Sequence, residues 1–173
     1  MAIITPDLLS KIREQYSLNW HGTHGISHWH RVWENGIKLS EQQGINAKVL
    51  QLFAVFHDSQ RMNENTDPNH GPRGAELALE FREHIPLDDE EFTLLTIACC
   101  LHTSEHTHSD ITIQACFDAD RLDLGRVGIT PDAYFLNSKM AKNPEMIEWA
   151  LRRSIENNKL PVDAFGIVGF IEE

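Results

Sequence analysis

Cysteine, basic side chains and long apolar runs are all scarce in this chain of 173 residues. The three cysteines include an adjacent pair, Cys99 and Cys100, and such a set does not resemble a disulfide framework. The longest nearly apolar run, residues 94–101, is far short of the roughly 20 residues that a membrane-spanning helix needs. We therefore expect a cytoplasmic protein without a membrane segment, and residues 1–7 show no signal-peptide pattern.

The charge balance is acidic, because 15 Lys and Arg stand against 26 Asp and Glu, which leaves a net charge of −11. The basic residues form no run, and this argues against a nucleic acid as the main partner. A small phosphorylated molecule is compatible with this charge if a metal supplies local positive charge. Histidine, the commonest metal ligand, is abundant, with ten residues.

Helical periodicity runs through nearly the whole chain. Thr5, Ser27, Asn46 and Asp88 are candidate N-caps. No repeat or linker divides the sequence, and strand patterns are nearly absent, the best candidate being the apolar tail at 165–171. The sequence predicts an all-α bundle of about six to eight helices in a single domain, residues 1–173. Predicted helices include residues 27–43, 71–84, 112–124 and 145–157.

The first candidate site residues lie at the end of an apolar helix. His57 and Asp58 follow four apolar residues, 53–56, and two unpaired polar groups in a core would be costly. An imidazole nitrogen and a carboxylate oxygen are suitable ligands for zinc, manganese or iron. The alternative is a capping aspartate beside a hydrogen-bonded histidine, without a metal.

Two further motifs lie on predicted helices. His28 begins the segment H-W-H-R-V, in which His28 and Arg31 share a helix face. Asp118 begins the segment D-A-D-R-L-D, and Asp118 and Asp120 cannot share a face. The alternatives are an ordinary helix histidine at position 28, and an N-cap or an ion pair with Arg121 for Asp118.

Together these residues give the order H…HD…D on three separate helices, which resembles the HD superfamily of metal-dependent phosphohydrolases over residues 20–129. The resemblance implies an HD-type helical domain in which four side chains bind one divalent metal ion, with Asp120 in a supporting role. The identity of the ion stays open among Mn, Fe, Zn, Co and Ni. The implied ligands are His28, His57, Asp58 and Asp118.

The resemblance also implies roles for side chains around Asp58. His70 and His102 are similar to histidines that hold a second ion or face the phosphate. Arg61 stands where relatives carry Lys or Glu, and its guanidinium suits phosphate binding but cannot serve as a general acid. The proton donor stays open among Glu64, His70 and His102. The expected catalytic set is therefore Asp58, Arg61, His70 and His102.

The expected function is hydrolysis of a phosphate ester, a nucleotide or other small phosphomonoester, by a metal-activated water. One alternative is a di-iron oxygenase built on the same ligands. Another is a metal-stabilised sensor or scaffold without catalysis. The sequence determines neither the substrate nor the oligomeric state, and it leaves the His-rich loop at 102–110 open as a lid, an adventitious metal patch or a solvated segment.

Overall fold

The structure, a computed structural model, describes residues 3–156 and 159–170. In those two ranges the chain forms seven α-helices and four short 3₁₀ helices and no strand, which confirms the predicted all-α fold. The α-helices are α1 (Pro6–Gln15), α2 (Ile26–Leu39), α3 (Ala47–Phe56), α4 (His70–Glu80), α5 (Asp89–Leu101), α6 (Ile111–Arg121) and α7 (Pro144–Glu156).

Three of the four predicted N-caps are confirmed. The Thr5 hydroxyl accepts a hydrogen bond from the Leu8 amide at 3.2 Å and begins α1. The Asn46 side chain accepts from two amides at the start of α3. Asp88 and Glu91 form a reciprocal capping box at the start of α5. These helix starts follow from local chemistry, because the side chain satisfies amides that lack a partner within the helix.

The prediction that Ser27 caps α2 is wrong, because Gly25 occupies that position. The Ile26 amide donates to the Trp20 carbonyl at 2.9 Å, so the preceding turn folds back onto the helix start. A Cβ atom at residue 25 would lie 2.1 Å from the same carbonyl oxygen, which only glycine avoids. This close approach fixes the first turn of α2, which carries His28.

Three predicted helices are longer than the observed ones, because their last turns leave the α conformation. The chain then continues in turns or as 3₁₀ helix, a common way for a helix to end. The observed ends are Leu39 for α2, Glu80 for α4 and Arg121 for α6, followed by 3₁₀ helices at Arg82–His84 and Leu124–Val127. The prediction for α7 agrees to within one residue at each end, and residue 157 lies outside the described residues.

The apolar tail does not form the strand expected at 165–171. A 3₁₀ turn at Ala164–Gly166 replaces it, with Phe165 in the left-handed region at φ 57°. The ring of Phe165 is buried against His30 and Trp33, at centroid distances of 5.2 and 6.2 Å. The tail therefore packs on its own chain, and residue 171 lies outside the described residues.

Helix α3 lies at the centre of the bundle. Seven of its ten residues are buried, and it packs against α2, α4, α5 and α6. Its C-terminal end is therefore surrounded by other helices, and the two residues that follow it are carried into the interior. No helix in the described ranges combines the length and the apolar character needed to cross a membrane.

Candidate metal centre

His57 and Asp58 follow directly on the apolar α3 and are buried, with exposed fractions of 0% and 2%. Four other helices bring polar side chains to the same place. The first turn of α2 carries His28, α4 begins at His70, α5 ends just before His102, and the last turn of α6 carries Asp120. Polar groups that are buried so close together need hydrogen-bond partners or opposite charges.

The first group consists of His28, His57 and Asp120, together with one oxygen of Asp58. The Nε2 atoms of His28 and His57 are 3.0 Å apart. From His28 Nε2, the distance is 3.4 Å both to Asp58 Oδ2 and to Asp120 Oδ1. From His57 Nε2, the corresponding distances are 3.8 and 3.7 Å. Two imidazole nitrogens and two carboxylate oxygens thus surround one point.

The outer hydrogen bonds of the two imidazoles fix their tautomers. His57 Nδ1 lies 3.1 Å from the carbonyl oxygens of both Phe53 and Ala54, so this nitrogen carries the proton. His28 Nδ1 donates to Asp123 Oδ2 at 2.7 Å. Both Nε2 atoms therefore present lone pairs to each other and to two carboxylates. When both imidazoles are neutral, all four atoms are acceptors, so a proton or a metal cation must lie between them, and two His with two Asp suit a divalent transition metal.

The second group consists of Asp58, His70 and His102. Asp58 Oδ1 lies 3.0 Å from His70 Nε2 and 3.9 Å from His102 Nε2, and the two nitrogens are 2.9 Å apart. Here too the Nδ1 atoms donate outward, to the carbonyls of Asp67 at 2.5 Å and of Cys99 at 2.7 Å. This group could likewise hold an ion.

Asp58 connects the two groups, because its two carboxylate oxygens face different sets of histidines. Oδ2 faces His28 and His57, and Oδ1 faces His70 and His102. A carboxylate in this position can bridge two ions. The geometry is therefore compatible with one ion in the first group or with an ion in each.

The charges in the cluster favour a cation with more than one charge. Burial would raise the pKa of Asp58, but His57 and hydrogen bonds from His28 and His70 hold it well below its usual range. The pKa of Asp120 is lowered in the same way, chiefly by His57. Burial lowers the pKa of His57, but Asp58 and Asp120 raise it by more. The carboxylates of Asp58 and Asp120 are thus both ionised. A single proton on one of the imidazoles would neutralise only one of these two charges, whereas a divalent cation would neutralise both.

Arg61 lies beside the second group. Its Nη1 lies 3.1 Å from His70 Nδ1 and 3.7 Å from Asp58 Oδ1, which already places a positive charge beside this group. Its other donors are used by the loop, through bonds to the carbonyls of Asn63 at 3.3 Å and Asn65 at 2.6 Å. The first group has an arginine beside it as well, since Arg126 Nη2 lies 3.9 Å from Asp120 Oδ1.

The structure does not bring Asp118 to the cluster, in contrast to the expectation. Asp118 Oδ1 accepts from the amide and the side chain of Asn137 at 2.7 and 3.1 Å, and Oδ2 accepts from the Ser138 amide at 2.8 Å. The ion pair with Arg121 is not formed either, because that guanidinium donates to backbone carbonyls. Asp118 and Asp120 point to different sides of α6, and it is Asp120 that meets His28 and His57.

Asp123, for which the sequence analysis proposed no role, supports the first group from behind. Its carboxylate accepts from His28 Nδ1 at 2.7 Å and from Arg31 Nε at 2.6 Å, and its side chain is 1% exposed. Arg31, which shares a helix face with His28, thus holds the carboxylate that in turn holds His28. The spacing contained a signal, since Asp120 and Asp123 are three residues apart, as are His28 and Arg31.

We expect Asp123→Asn to weaken metal binding about 10- to 100-fold, because the amide cannot hold the tautomer and orientation of His28 as the carboxylate does. The measurement is competition with a chromogenic chelator. Asp89→Asn is the matched control, since the Asp89 side chain is fully exposed on α5. An unchanged affinity in Asp123→Asn would show that His28 is positioned without Asp123.

The remaining candidates lie outside the two groups. The Glu64 carboxylate accepts from His24 Nδ1 at 2.5 Å, which leaves its role as proton donor a prediction. In the His-rich loop, His106 Nε2 donates to the Tyr134 carbonyl and His108 Nδ1 accepts from the Asp110 amide. The loop is therefore tied to neighbouring backbone in the described part of the chain.

Comparison with known proteins yields no further assignment. No model of a known protein family matches the chain, no curated protein matches it, and no solved structure matches it. The chemistry of the site is therefore argued from its own geometry.

Proposed function

We propose that this chain is a metal-dependent phosphohydrolase that cleaves a small phosphomonoester. The observation that carries the proposal is the convergence of four acceptor atoms on one point, three from the buried His28, His57 and Asp58 and one from the partly exposed Asp120. The order of these residues along the chain also supports membership of the HD superfamily, with Asp120 in the ligand position that the resemblance assigned to Asp118. A divalent ion bound there supplies Lewis-acid polarisation of a phosphoryl oxygen and a lowered pKa for a water molecule.

The side chains of the site orient and enclose the reacting groups. The carbonyls of Phe53 and Ala54 and the carboxylate of Asp123 hold the imidazoles of His57 and His28 in the tautomer that binds metal. His70 and His102 face the same space from α4 and α5. Burial lowers the pKa of His102 to about 4, with a further contribution from His57, so this imidazole is neutral and can bind an ion at neutral pH.

The test combines elemental analysis with turnover. Tag-free protein that has never met a chelator should contain about one to two equivalents of a transition metal. After loading with Mn²⁺, Co²⁺, Ni²⁺ or Zn²⁺ in turn, it should release phosphate from members of a phosphomonoester panel. His57→Ala/Asp58→Ala should lose both the metal and more than about 1,000-fold of the turnover. A metal-loaded wild type without turnover on any ester would contradict the hydrolase and favour the scaffold.

A second candidate is a di-iron oxygenase, favoured by the two-sided placement of Asp58 between His28 and His57 and between His70 and His102. A di-iron oxygenase should contain two irons per chain and take up oxygen only in the presence of its substrate. Purified protein with one manganese, cobalt, nickel or zinc ion and phosphatase turnover would exclude it. For the proposed phosphohydrolase, the expected binding partner is a small phosphorylated substrate.

A further inference from the structure

The candidate metal centre is most exposed to solvent next to Asp120, and we call this side its opening. The side chains of His28, His57, Asp58, His70 and His102 are between 0% and 5% exposed, whereas that of Asp120 is 21% exposed. A substrate that reaches an ion in the first group must therefore approach past Asp120.

Arg126 stands at this opening. Its side chain is 10% exposed, and its Nη2 lies 3.9 Å from Asp120 Oδ1. Its Nη1 donates to the Asp123 carbonyl at 3.0 Å, and within the described residues its buried Nε has no hydrogen-bond partner. The Asp123 carboxylate offers Arg126 little, since His28 and Arg31 hold it with shorter bonds. When Asp120 binds an ion, Arg126 therefore remains a positive charge beside that ion, with Nη2 as its nearest donor.

A cavity of about 750 Å³ borders Arg126, between the turn before α2 and the end of α7. This volume is within the range of small-molecule sites. The lining is mostly polar and includes His21, Thr23, Ser27, Arg31 and Ser154. Hydroxyl, imidazole and guanidinium groups at this density suit a ligand with many hydroxyls.

A second cavity of about 650 Å³ lies between the His-rich loop and the segment that follows α6. Its lining includes the apolar side chains of Leu124, Ile129 and Phe135. This cavity would suit an aromatic group such as a base. Arg121, which also lines it, donates to three backbone carbonyls, so its guanidinium is already committed. Of the two cavities, the polar one therefore borders the arginine that lies beside Asp120, and the apolar one does not.

We propose that Arg126 binds the phosphoryl group of the substrate and that the polar cavity accepts a sugar-like leaving group. This inference rests on the proposed function and names its substrate class, a sugar phosphate. Water supplies the oxygen that bonds to phosphorus and, as the ester P–O bond breaks, the proton for the leaving hydroxyl, so the products are inorganic phosphate and the free sugar. Arg126 takes the role that the sequence analysis gave to Arg61, whose Nε and Nη2 donate to carbonyls of its own loop.

The first arm of the test measures binding of inorganic phosphate to metal-loaded protein by calorimetry, which needs no turnover. Arg126→Gln should raise the Kd at least about tenfold, because a charge-assisted hydrogen bond is lost. Arg152→Gln is the matched control, since Arg152 is exposed on α7 and lines none of the cavities described. Metal content should be the same in both variants, and Arg126→Lys should restore part of the affinity. Equal Kd values in the two Gln variants, or no phosphate binding by the wild type, would overturn the role of Arg126.

The second arm locates the leaving group with a non-hydrolysable hexose phosphonate. Thr23→Trp fills the polar cavity and Thr130→Trp fills the apolar one, both from exposed positions that tolerate a large side chain. Thr23→Trp should weaken phosphonate binding about tenfold or more and leave inorganic phosphate binding unchanged. Thr130→Trp should change neither. Loss of phosphonate binding in Thr130→Trp instead, or in neither variant, would overturn the assignment of this cavity.

The two proposals fail in different ways. If the wild type hydrolyses esters but prefers aryl phosphates and ignores sugar phosphates, the hydrolase stands and the substrate class is wrong. If it binds phosphate through Arg126 yet hydrolyses no ester, the anion site stands and the proposed function is wrong.

Discussion

Asp120→Asn should lose the bound metal while Asp118→Asn keeps it, although the two residues are only two positions apart. Asp120 Oδ1 lies 3.4 Å from His28 Nε2 and 3.7 Å from His57 Nε2, at the point where an ion would be held. The neutral amide removes one of the two charges that attract the ion. We expect metal affinity to fall by more than about 100-fold, beyond the effect of losing a supporting residue, and turnover to fall with it. The measurements are metal content by elemental analysis and phosphate release.

Asp118→Asn should instead destabilise the fold. The Asp118 carboxylate accepts three hydrogen bonds, from the amide and the side chain of Asn137 and from the Ser138 amide, and it is fully buried. An amide side chain cannot accept all three, so buried donors lose their partner at a cost of about 2–4 kcal/mol. Urea denaturation should show this loss of unfolding free energy, with metal content near that of the wild type.

The two variants control for each other, because the chemical change is identical. If Asp118→Asn loses the metal and keeps its stability, the ligand assignment made here is reversed. If both variants lose the metal and stay folded, both aspartates bind the ion. The observed hydrogen bonds of Asp118 exclude that arrangement.

The helices could be predicted from the sequence because their starts depend on local chemistry. Thr5, Asn46 and Asp88 begin helices through hydrogen bonds to residues two or three positions away. The start of α2 could not be predicted this way, since it depends on how closely Gly25 approaches the Trp20 carbonyl. The strand prediction for the tail was wrong for a related reason. Phe165 packs on His30 and Trp33, and nothing in the sequence of the tail specifies those partners.

The sequence predicted most of the residues of the cluster, but not which aspartate of α6 belongs to it. His28, His57, Asp58, His70 and His102 all meet, as the H…HD…D order and the neighbouring histidines suggested. The choice between Asp118 and Asp120 depends on the rotation of α6 about its axis. Residues two apart on a helix differ by about 200°, so only one of the two can face the cluster, and the local pattern of α6 does not show which.

The roles of Arg61 and Arg126 could not be assigned from the sequence. Arg61 is near His57 and Asp58 in sequence and in space, yet its Nε and Nη2 donate to the Asn63 and Asn65 carbonyls. Arg126 follows α6 in a glycine-punctuated segment and carries no motif. Only the three-dimensional arrangement shows it beside Asp120.

Binding of a metal should raise the melting temperature of the wild type by a large amount. Because the lone pairs of His28 Nε2 and His57 Nε2 face each other at 3.0 Å, with two carboxylates nearby, the ion-free cluster opposes folding. An ion at about 1,000 times its Kd contributes about 4.1 kcal/mol. For a chain of this length that corresponds to roughly 8–16 °C. Differential scanning fluorimetry, after chelation and after reloading, measures the shift.

His57→Ala/Asp58→Ala should abolish this shift, because it removes two of the four ligands and the carboxylate shared by both groups. The control is His30→Ala, which removes a buried imidazole that stacks on Trp33 and belongs to neither group. His30→Ala should lower the melting temperature with and without the ion and keep the difference between the two. If the double variant keeps the shift, the ion stabilises the fold from another place, and the His-rich loop with His106 and His108 would be the next to test. If only the double variant loses it, the cluster below α3 is the metal centre, and the cost of burying four acceptors together explains why folding and metal binding are coupled.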